Sequence, residues 1–397
     1  MSNLLFSDHK VKLRIALIFL FVSALLGLTL RMMHAGIISV NFKHILHTHS
    51  HVVLLGWLYN AVFIIIQFFI FKRTDKALNI IFWLSQITFL GMMFSFPFQG
   101  YGFASITFST LYLFCSYGLV FYLFRYSKTL ENKNVATLLK WGGIYLVLSS
   151  FGPFSLGFIM AKGLAETFWF KLSIYWFLHF LYNGFFALAI FGYILSKFES
   201  NQAQKVITRL MVASVIPLYA LSVLWLNPNE SVYGVAFLGS VFQLIALVLL
   251  LKQKSIKLIF TNKTLRIVLY MSVISYGLKT VFQLLSVHPE IQIFLTQTVS
   301  YSVIGFIHLV MLGFFTLIVF TIWIEEGMMK MTAVLKIGLA ILILGIILSE
   351  ILLFGQSLVV FYELNGIPNF FKALLYSSAL MPVGIGLLVW SEFASKK

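Results

Sequence analysis

Charged side chains and cysteine are scarce in this chain. Only 10% of its 397 residues are charged, and Cys115 is the single cysteine. A soluble domain carries roughly a quarter charged residues, so this chain has too few charges to cover a water-facing surface of its size. A single cysteine also excludes a framework of disulfides within the chain. The composition therefore argues against a soluble globular protein.

Apolar residues are abundant instead, and they form long runs. They make up 60% of the chain. Twelve runs are each long enough to cross about 30 Å of hydrocarbon. They lie at 14–32, 48–71, 77–96, 102–124, 139–161, 168–195, 207–226, 231–251, 266–286, 297–323, 333–354 and 371–390. The sequence predicts an all-α integral membrane protein, a twelve-helix transmembrane bundle that forms a single domain over residues 1–397. No internal repeat is expected.

The basic residues predict the orientation of these helices. The formal net charge is +16, and most of the 28 lysine and arginine residues fall in alternate links when the N-terminus is taken as cytoplasmic. Cytoplasmic links are the ones enriched in such residues. We therefore expect both termini in the cytoplasm of a multi-pass protein of the cell inner membrane. Because the charges do not gather on one surface, the partner is a lipid bilayer and no nucleic acid is expected.

Histidines within apolar segments are the candidate functional residues, because an ionisable side chain in lipid needs a partner or a task. Four of the nine lie in one short stretch that leads into the second run, namely His44, His47, His49 and His51, and two lie alone deep in runs, namely His179 and His308. Counted from the cytoplasmic ends of their helices, His51, His179 and His308 reach one level in the outer leaflet. On a helix, His49 points in about the opposite direction to His51, so these two are expected to serve different sites.

Two of these segments resemble a known family. His49-Ser50-His51-Val52-Val53-Leu54-Leu55-Gly56-Trp57 resembles the second-helix motif of the heme-copper oxidase subunit I superfamily, especially its cbb3 and nitric-oxide-reductase-like branches. Ile307-His308-Leu309-Val310-Met311-Leu312-Gly313 is similar to the tenth helix of that family. The resemblance implies twelve helices with cytoplasmic termini. It also implies a b-type heme whose axial ligands are His51 and His308.

The chain departs from the family pattern at the catalytic centre. Phe306 stands where the family's tenth helix has the first of two histidines, and the run 207–226 contains no histidine where the family has a copper-binding pair. The sixth helix retains His179, but without the family's His-Pro-Glu-Val-Tyr motif. Copper is therefore not expected, and the chain is not expected to be a complete terminal oxidase on its own.

Three functional interpretations remain open at this point. The chain could carry electrons or sense redox state or gas through a bis-histidine heme b, with a partner redox subunit or quinol. It could hold an unusual metal site in which His49 and His179 take part together with the two heme-ligand candidates. It could instead be a proton-coupled or other secondary transporter without metal, in which the histidines and Glu350 carry protons. Lys279 and Glu350, near mid-bilayer, could pair with each other or lend protons to a pathway.

The orientation can be tested by moving charge. We predict that replacing Lys252, Lys254 and Lys257 by glutamine disturbs the topology more than replacing Lys162 and Lys171 by glutamine, because only the first three are placed in a cytoplasmic link. Reporter fusions to the flanking links would measure the orientation. Equal effects of the two changes would contradict the predicted topology.

Overall fold

The computed structural model describes residues 2–164, 166–253 and 263–394. Twelve helices in these ranges are long and apolar enough to cross a membrane, which confirms the predicted all-α, twelve-helix bundle. They are α1 (Ser2–His34), α2 (Phe42–Ile70), α3 (Lys76–Gln99), α4 (Phe103–Ser127), α5 (Lys133–Ala161), α6 (Phe168–Ser196), α7 (Gln202–Leu226), α8 (Glu230–Leu251), α9 (Lys263–Leu285), α10 (Val299–Glu325), α11 (Ala333–Phe361) and α12 (Phe370–Ala394).

Several helices are longer than the apolar runs that predicted them, because polar caps extend them. α2 begins at Phe42 rather than at residue 48, and the side chain of its N-cap Asn41 accepts a hydrogen bond from the backbone N–H of His44. α5 begins at Lys133 rather than at residue 139, where the Asn132 side chain accepts bonds from the next backbone N–H groups. Such caps satisfy donors that the first turn leaves free. As a result, the histidines before His51 lie within α2.

The twelve helices form three consecutive groups of four with one packing pattern. In each group the second helix packs on the first and on the third, and the third pairs with the fourth. Neighbouring groups join where the fourth helix of one packs on the first helix of the next, namely α4 on α5, α8 on α9 and α12 on α1. The last contact includes an ion pair between Arg14 and Glu392, with Nε and Oε1 3.5 Å apart. The groups therefore close into a ring.

The second helix of each group lies at the centre of this ring. α2, α6 and α10 are the most buried of the twelve helices. Aromatic and hydroxyl side chains join them pairwise: Trp57 Nε1 donates to Thr316 Oγ1 at 3.1 Å, the Tyr59 and Phe185 ring centroids are 6.1 Å apart, and so are those of Phe186 and Phe315. The core of the protein is thus the interface between α2, α6 and α10.

These central helices also share a sequence pattern, His-x4-Gly-aromatic-x5-Phe. The matching residues are His51, Gly56, Trp57 and Phe63; His179, Gly184, Phe185 and Phe191; and His308, Gly313, Phe314 and Phe320. The expectation of no internal repeat is therefore wrong. Four matching positions per helix are too few to stand out among apolar runs until the packing aligns them.

Each repeated histidine ends an α-helical stretch and is followed directly by a π-helical segment. These segments are Val52–Tyr59, Phe180–Phe186 and Leu309–Thr316. π-helical turns inside α-helices are rare and frequently lie at functional sites. The repeat therefore places a histidine and a widened turn at the same position of all three groups.

The repeated glycine allows the first helix of each group to approach its π-helical segment. A Cβ atom at Gly56 would lie 2.6 Å from a ring carbon of Phe19 on α1, and one at Gly184 would lie 2.5 Å from Cβ of Tyr145 on α5. At Gly313 the nearest atom, the hydroxyl oxygen of a serine on α9, would be at 2.6 Å. Small residues commonly permit such close approach between membrane helices.

We predict that Gly184→Ala destabilises the protein by about 1–3 kcal/mol, because the added methyl group overlaps Tyr145 and forces the helices apart. Gly277→Ala is a matched control on α9, since a Cβ atom there meets nothing within 4 Å. Thermal unfolding in detergent would measure both variants. Equal melting temperatures would contradict the close contact at Gly184.

Candidate functional site

Four polar side chains on four helices lie between the first and the third group and are linked by electrostatic interactions with one of them, Arg31. They are Arg31 of α1, His49 of α2, His308 of α10 and Glu350 of α11, and we call them the polar cluster. The Arg31 guanidinium interacts electrostatically with each of the other three, and His308 interacts with His49. The ring closure of α12 on α1 is what brings the first and third groups together.

His49 is held in one orientation and one tautomer. Its Nδ1 donates a hydrogen bond to the backbone carbonyl of Ser23 on α1 at 2.8 Å. Gly27, one turn further along α1, makes room for the ring, because a Cβ atom there would be 3.0 Å from Cε1 of His49. A histidine whose Nδ1–H is bound to a carbonyl keeps its lone pair on Nε2, which is the usual arrangement of a metal-binding imidazole.

The other members of the polar cluster lack hydrogen-bond partners. Nδ1 of His308 and both carboxylate oxygens of Glu350 are buried with no partner among the described residues. Arg31 is 8% exposed and makes no hydrogen bond within the same part of the chain. Buried polar groups are nearly always hydrogen-bonded, and leaving one unpaired costs roughly 1–3 kcal/mol. The cluster therefore has the polar groups of a binding site.

A glycine also shapes the space beside Glu350. A Cβ atom at Gly305, one turn before His308 on α10, would lie 3.3 Å from Oε2 of Glu350. A larger residue at this position would crowd the carboxylate. The polar cluster is thus bordered by two glycines, Gly27 on one side and Gly305 on the other.

His51 lies away from the polar cluster. Its Nδ1 donates to the backbone carbonyl of His47 at 2.8 Å, and its ring packs against Phe96 of α3 with 4.3 Å between centroids. Tyr101, in the link after α3, lies beside it, and burial raises the pKa of this phenol to about 12, so it stays protonated. His49 and His51 do face different sites, as the helix geometry predicted. The predicted pair of His51 with His308 is not brought together, and His49 lies near His308 instead.

His179 is a hydrogen-bonded core residue. It is 3% exposed, its Nε2 donates to the backbone carbonyl of Val215 on α7 at 2.7 Å, and its Nδ1 accepts from the amide of Asn183 at 3.2 Å. Both ring nitrogens are therefore occupied. In this arrangement His179 has no lone pair free for a metal, contrary to the role that the sequence suggested for it.

Lys279 and Glu350 do not pair with each other. Lys279, which is 1% exposed, donates a hydrogen bond to Oε1 of Gln243 on α8, and its Nζ lies 4.9 Å from the ring centroid of Tyr276. Glu350 has Arg31 as its charged neighbour instead. Arg31 was not singled out in the sequence, although it lies within the first apolar run, where the rule that selected the histidines applies equally.

Of the four histidines predicted to form one unusual metal site, His49 and His308 belong to the polar cluster, whereas His51 and His179 lie elsewhere. Within the described ranges, no group of three or more His, Cys, Asp or Glu side chains is arranged to hold a metal ion. Comparison of the chain with models of protein families and with curated proteins gave no match. The function must therefore be inferred from the geometry of the polar cluster.

We predict that His179→Ala destabilises the protein by roughly 1–3 kcal/mol, because it leaves the Val215 carbonyl and the Asn183 amide without their partner. His288→Ala removes an exposed histidine in the link after α9 and serves as the control. Thermal unfolding in detergent would compare them. A fully stable His179→Ala protein that loses a bound metal would contradict the structural role.

Proposed function

We propose that this chain is a heme-binding protein of the cell inner membrane, with a b-type heme held between α2 and α10 by His49 and His308. The observation that supports it most is the set of unpartnered groups around His49: Nδ1 of His308, the Glu350 carboxylate and the Arg31 guanidinium. A bis-histidine heme b supplies one-electron redox chemistry and leaves no open position on the iron.

The ligand on α2 is assigned to His49 because of its surroundings. The resemblance to the oxidase family implies a histidine of this segment as one axial ligand and His308 as the other. Both His49 and His51 carry a lone pair on Nε2, but His49 is the one that interacts electrostatically with His308. His51, in contact with Phe96 of the first group, would need a rotation of α2 to take this place.

Arg31 and Glu350 provide the charges that such a site needs. A guanidinium has five N–H donors in a planar fork that matches a carboxylate, so Arg31 can bind a propionate group of the heme. Glu350 balances the charge of Arg31 when no propionate is present and can take up a proton as the charge of the site changes. Both groups are held on helices, α1 and α11, that pack against the two ligand-bearing helices.

The proposed role is electron transfer, or redox or gas sensing, rather than oxygen reduction. A six-coordinate heme has no place for a substrate on the iron. Phe306 lies where the oxidase family has the first of its two tenth-helix histidines, and His179 is fully hydrogen-bonded, so no copper site is proposed. Electrons would come from a partner redox subunit or a quinol.

A proton-coupled transporter without metal is the second candidate. It is favoured by the unpartnered Glu350 carboxylate, which could carry a proton, and by the threefold repeat, since many transporters are built from internal repeats. Here each unit contains four helices, so the three units share one orientation across the membrane. The fixed tautomer of His49 favours a metal ligand over a proton relay.

An optical spectrum of the dithionite-reduced protein, purified from heme-replete cells, tests the proposal. We predict a b-type α-band in the wild-type protein. His49→Ala and His308→Ala should each abolish or shift this band, because each removes one axial ligand. His51→Ala should leave it unchanged and is the matched control, since it deletes an imidazole only two residues from His49.

Two outcomes would contradict the proposal in different ways. Absence of heme from the purified wild-type protein would contradict the heme proposal and favour a transporter. A band that survives in His49→Ala but disappears in His51→Ala would show that the axial ligand on α2 is His51, as the resemblance implied. Circular dichroism of each variant would show whether a lost band reflects a lost ligand or a lost fold.

A further inference from the structure

A cavity of about 570 Å³ lies between the starts of α5 and α7, far along the chain from the polar cluster. The N-caps of these helices are Asn132 and Asn201. The amide of Asn132 donates to Oε1 of Gln204 at 3.2 Å, and the amide of Asn134 donates to the hydroxyl of Ser200 at 3.0 Å. These bonds hold two helix N-termini side by side, and the partial positive charge of both favours an anion there.

Positive side chains line the same cavity. Lys133 contributes from α5, and Lys205 and Arg209 contribute from successive turns of α7. None of the described residues that line it is acidic. Arginine, lysine and helix N-termini together are the groups with which proteins bind phosphate. The cavity is therefore suited to a phosphate group.

A buried hydroxyl group points to a ligand independently of these charges. Thr208 lines the cavity and is 3% exposed, yet its Oγ1 has no hydrogen-bond partner within the described ranges. Buried hydroxyl groups are generally paired. A phosphate oxygen in the cavity would provide the missing acceptor.

The outer faces of the two helices favour a lipid as the source of this phosphate. On α5, Trp141 lies about two turns beyond Lys133 and is 37% exposed. On α7, Ile216 follows Arg209 by two turns and is 59% exposed. Each helix thus carries a cation at its end and an apolar side chain further into the bilayer, which matches the headgroup and the acyl chain of a phospholipid.

We propose that this cavity binds the phosphate headgroup of an anionic phospholipid. In the predicted topology the starts of α5 and α7 face the cytoplasm, and the cytoplasmic leaflet carries the anionic lipids. Basic pockets between helices on that side are known to hold such headgroups. This site is independent of the heme proposal, because it shares no residue with the polar cluster.

Native mass spectrometry of the full chain in a non-ionic detergent tests this site. Dioleoylphosphatidylglycerol is the probe, and dioleoylphosphatidylcholine, which is zwitterionic and has no net charge, is the comparison. We expect the wild-type protein to prefer phosphatidylglycerol. The double variant Lys205→Gln/Arg209→Gln should bind it about tenfold more weakly, because two cations near the membrane surface are lost. Lys330→Gln/Lys336→Gln removes two exposed cations, one in the link before α11 and one in its first turn, and should bind like the wild type.

Thr208→Val keeps the volume of the side chain and deletes only the unpartnered hydroxyl, so it tests the site even if the charge variant is unstable. We expect weaker binding of phosphatidylglycerol in this variant as well. Equal affinity for the two lipids, or equal binding by both double variants, would overturn the proposal. Displacement of the lipid by an equal concentration of glycerol 3-phosphate would assign the site to a soluble phosphate instead.

Discussion

The rest of this bundle depends on three equivalent contacts, in which α1, α5 and α9 pack closely against the π-helical segments of α2, α6 and α10. In a bilayer, apolar burial does little to hold one helix against another, so close van der Waals contact at small residues becomes important. Here the small residues are Gly56, Gly184 and Gly313, each in contact with the first helix of its group. Because all three contacts are equivalent, the central helices take equivalent positions around one axis. The rest of each group is built outward from that position.

The same symmetry gives the three repeated histidines equivalent positions, but the partners that they find there differ. Each one faces outward, towards the third helix of its own group. There His51 packs against the ring of Phe96 and His179 donates to the Val215 carbonyl, whereas His308 interacts electrostatically with Arg31 and its Nδ1 has no hydrogen-bond partner among the described residues. His49 has no counterpart in the other two groups, and it faces across the boundary to the third group. Because His49 departs from the repeat, the polar cluster contains two imidazoles, those of His49 and His308.

Sequence spacing predicted some of these features well, and the reason is geometric. Hydrophobic run length determines the number of spans, and the two-residue separation of His49 from His51 determines that they diverge. Spacing does not determine how a helix is rotated about its own axis, which depends on the neighbours it packs against. This is why the choice between His49 and His51 could not be made in advance. The role of Arg31 depends in the same way on the closure of α12 onto α1.

The buried cations of the chain indicate how unusual the polar cluster is. Lys12 is fully buried, but its ammonium group has Asp8 at 3.2 Å, Gln67 at 2.9 Å and Asn79 as partners, so its charge is compensated within the protein. Arg31 has more donors than Lys12 and uses none of them in a hydrogen bond to the described residues. A chain that satisfies one buried cation so completely can satisfy another. The donors that Arg31 leaves free therefore support the proposal that a carboxylate-bearing ligand binds beside it.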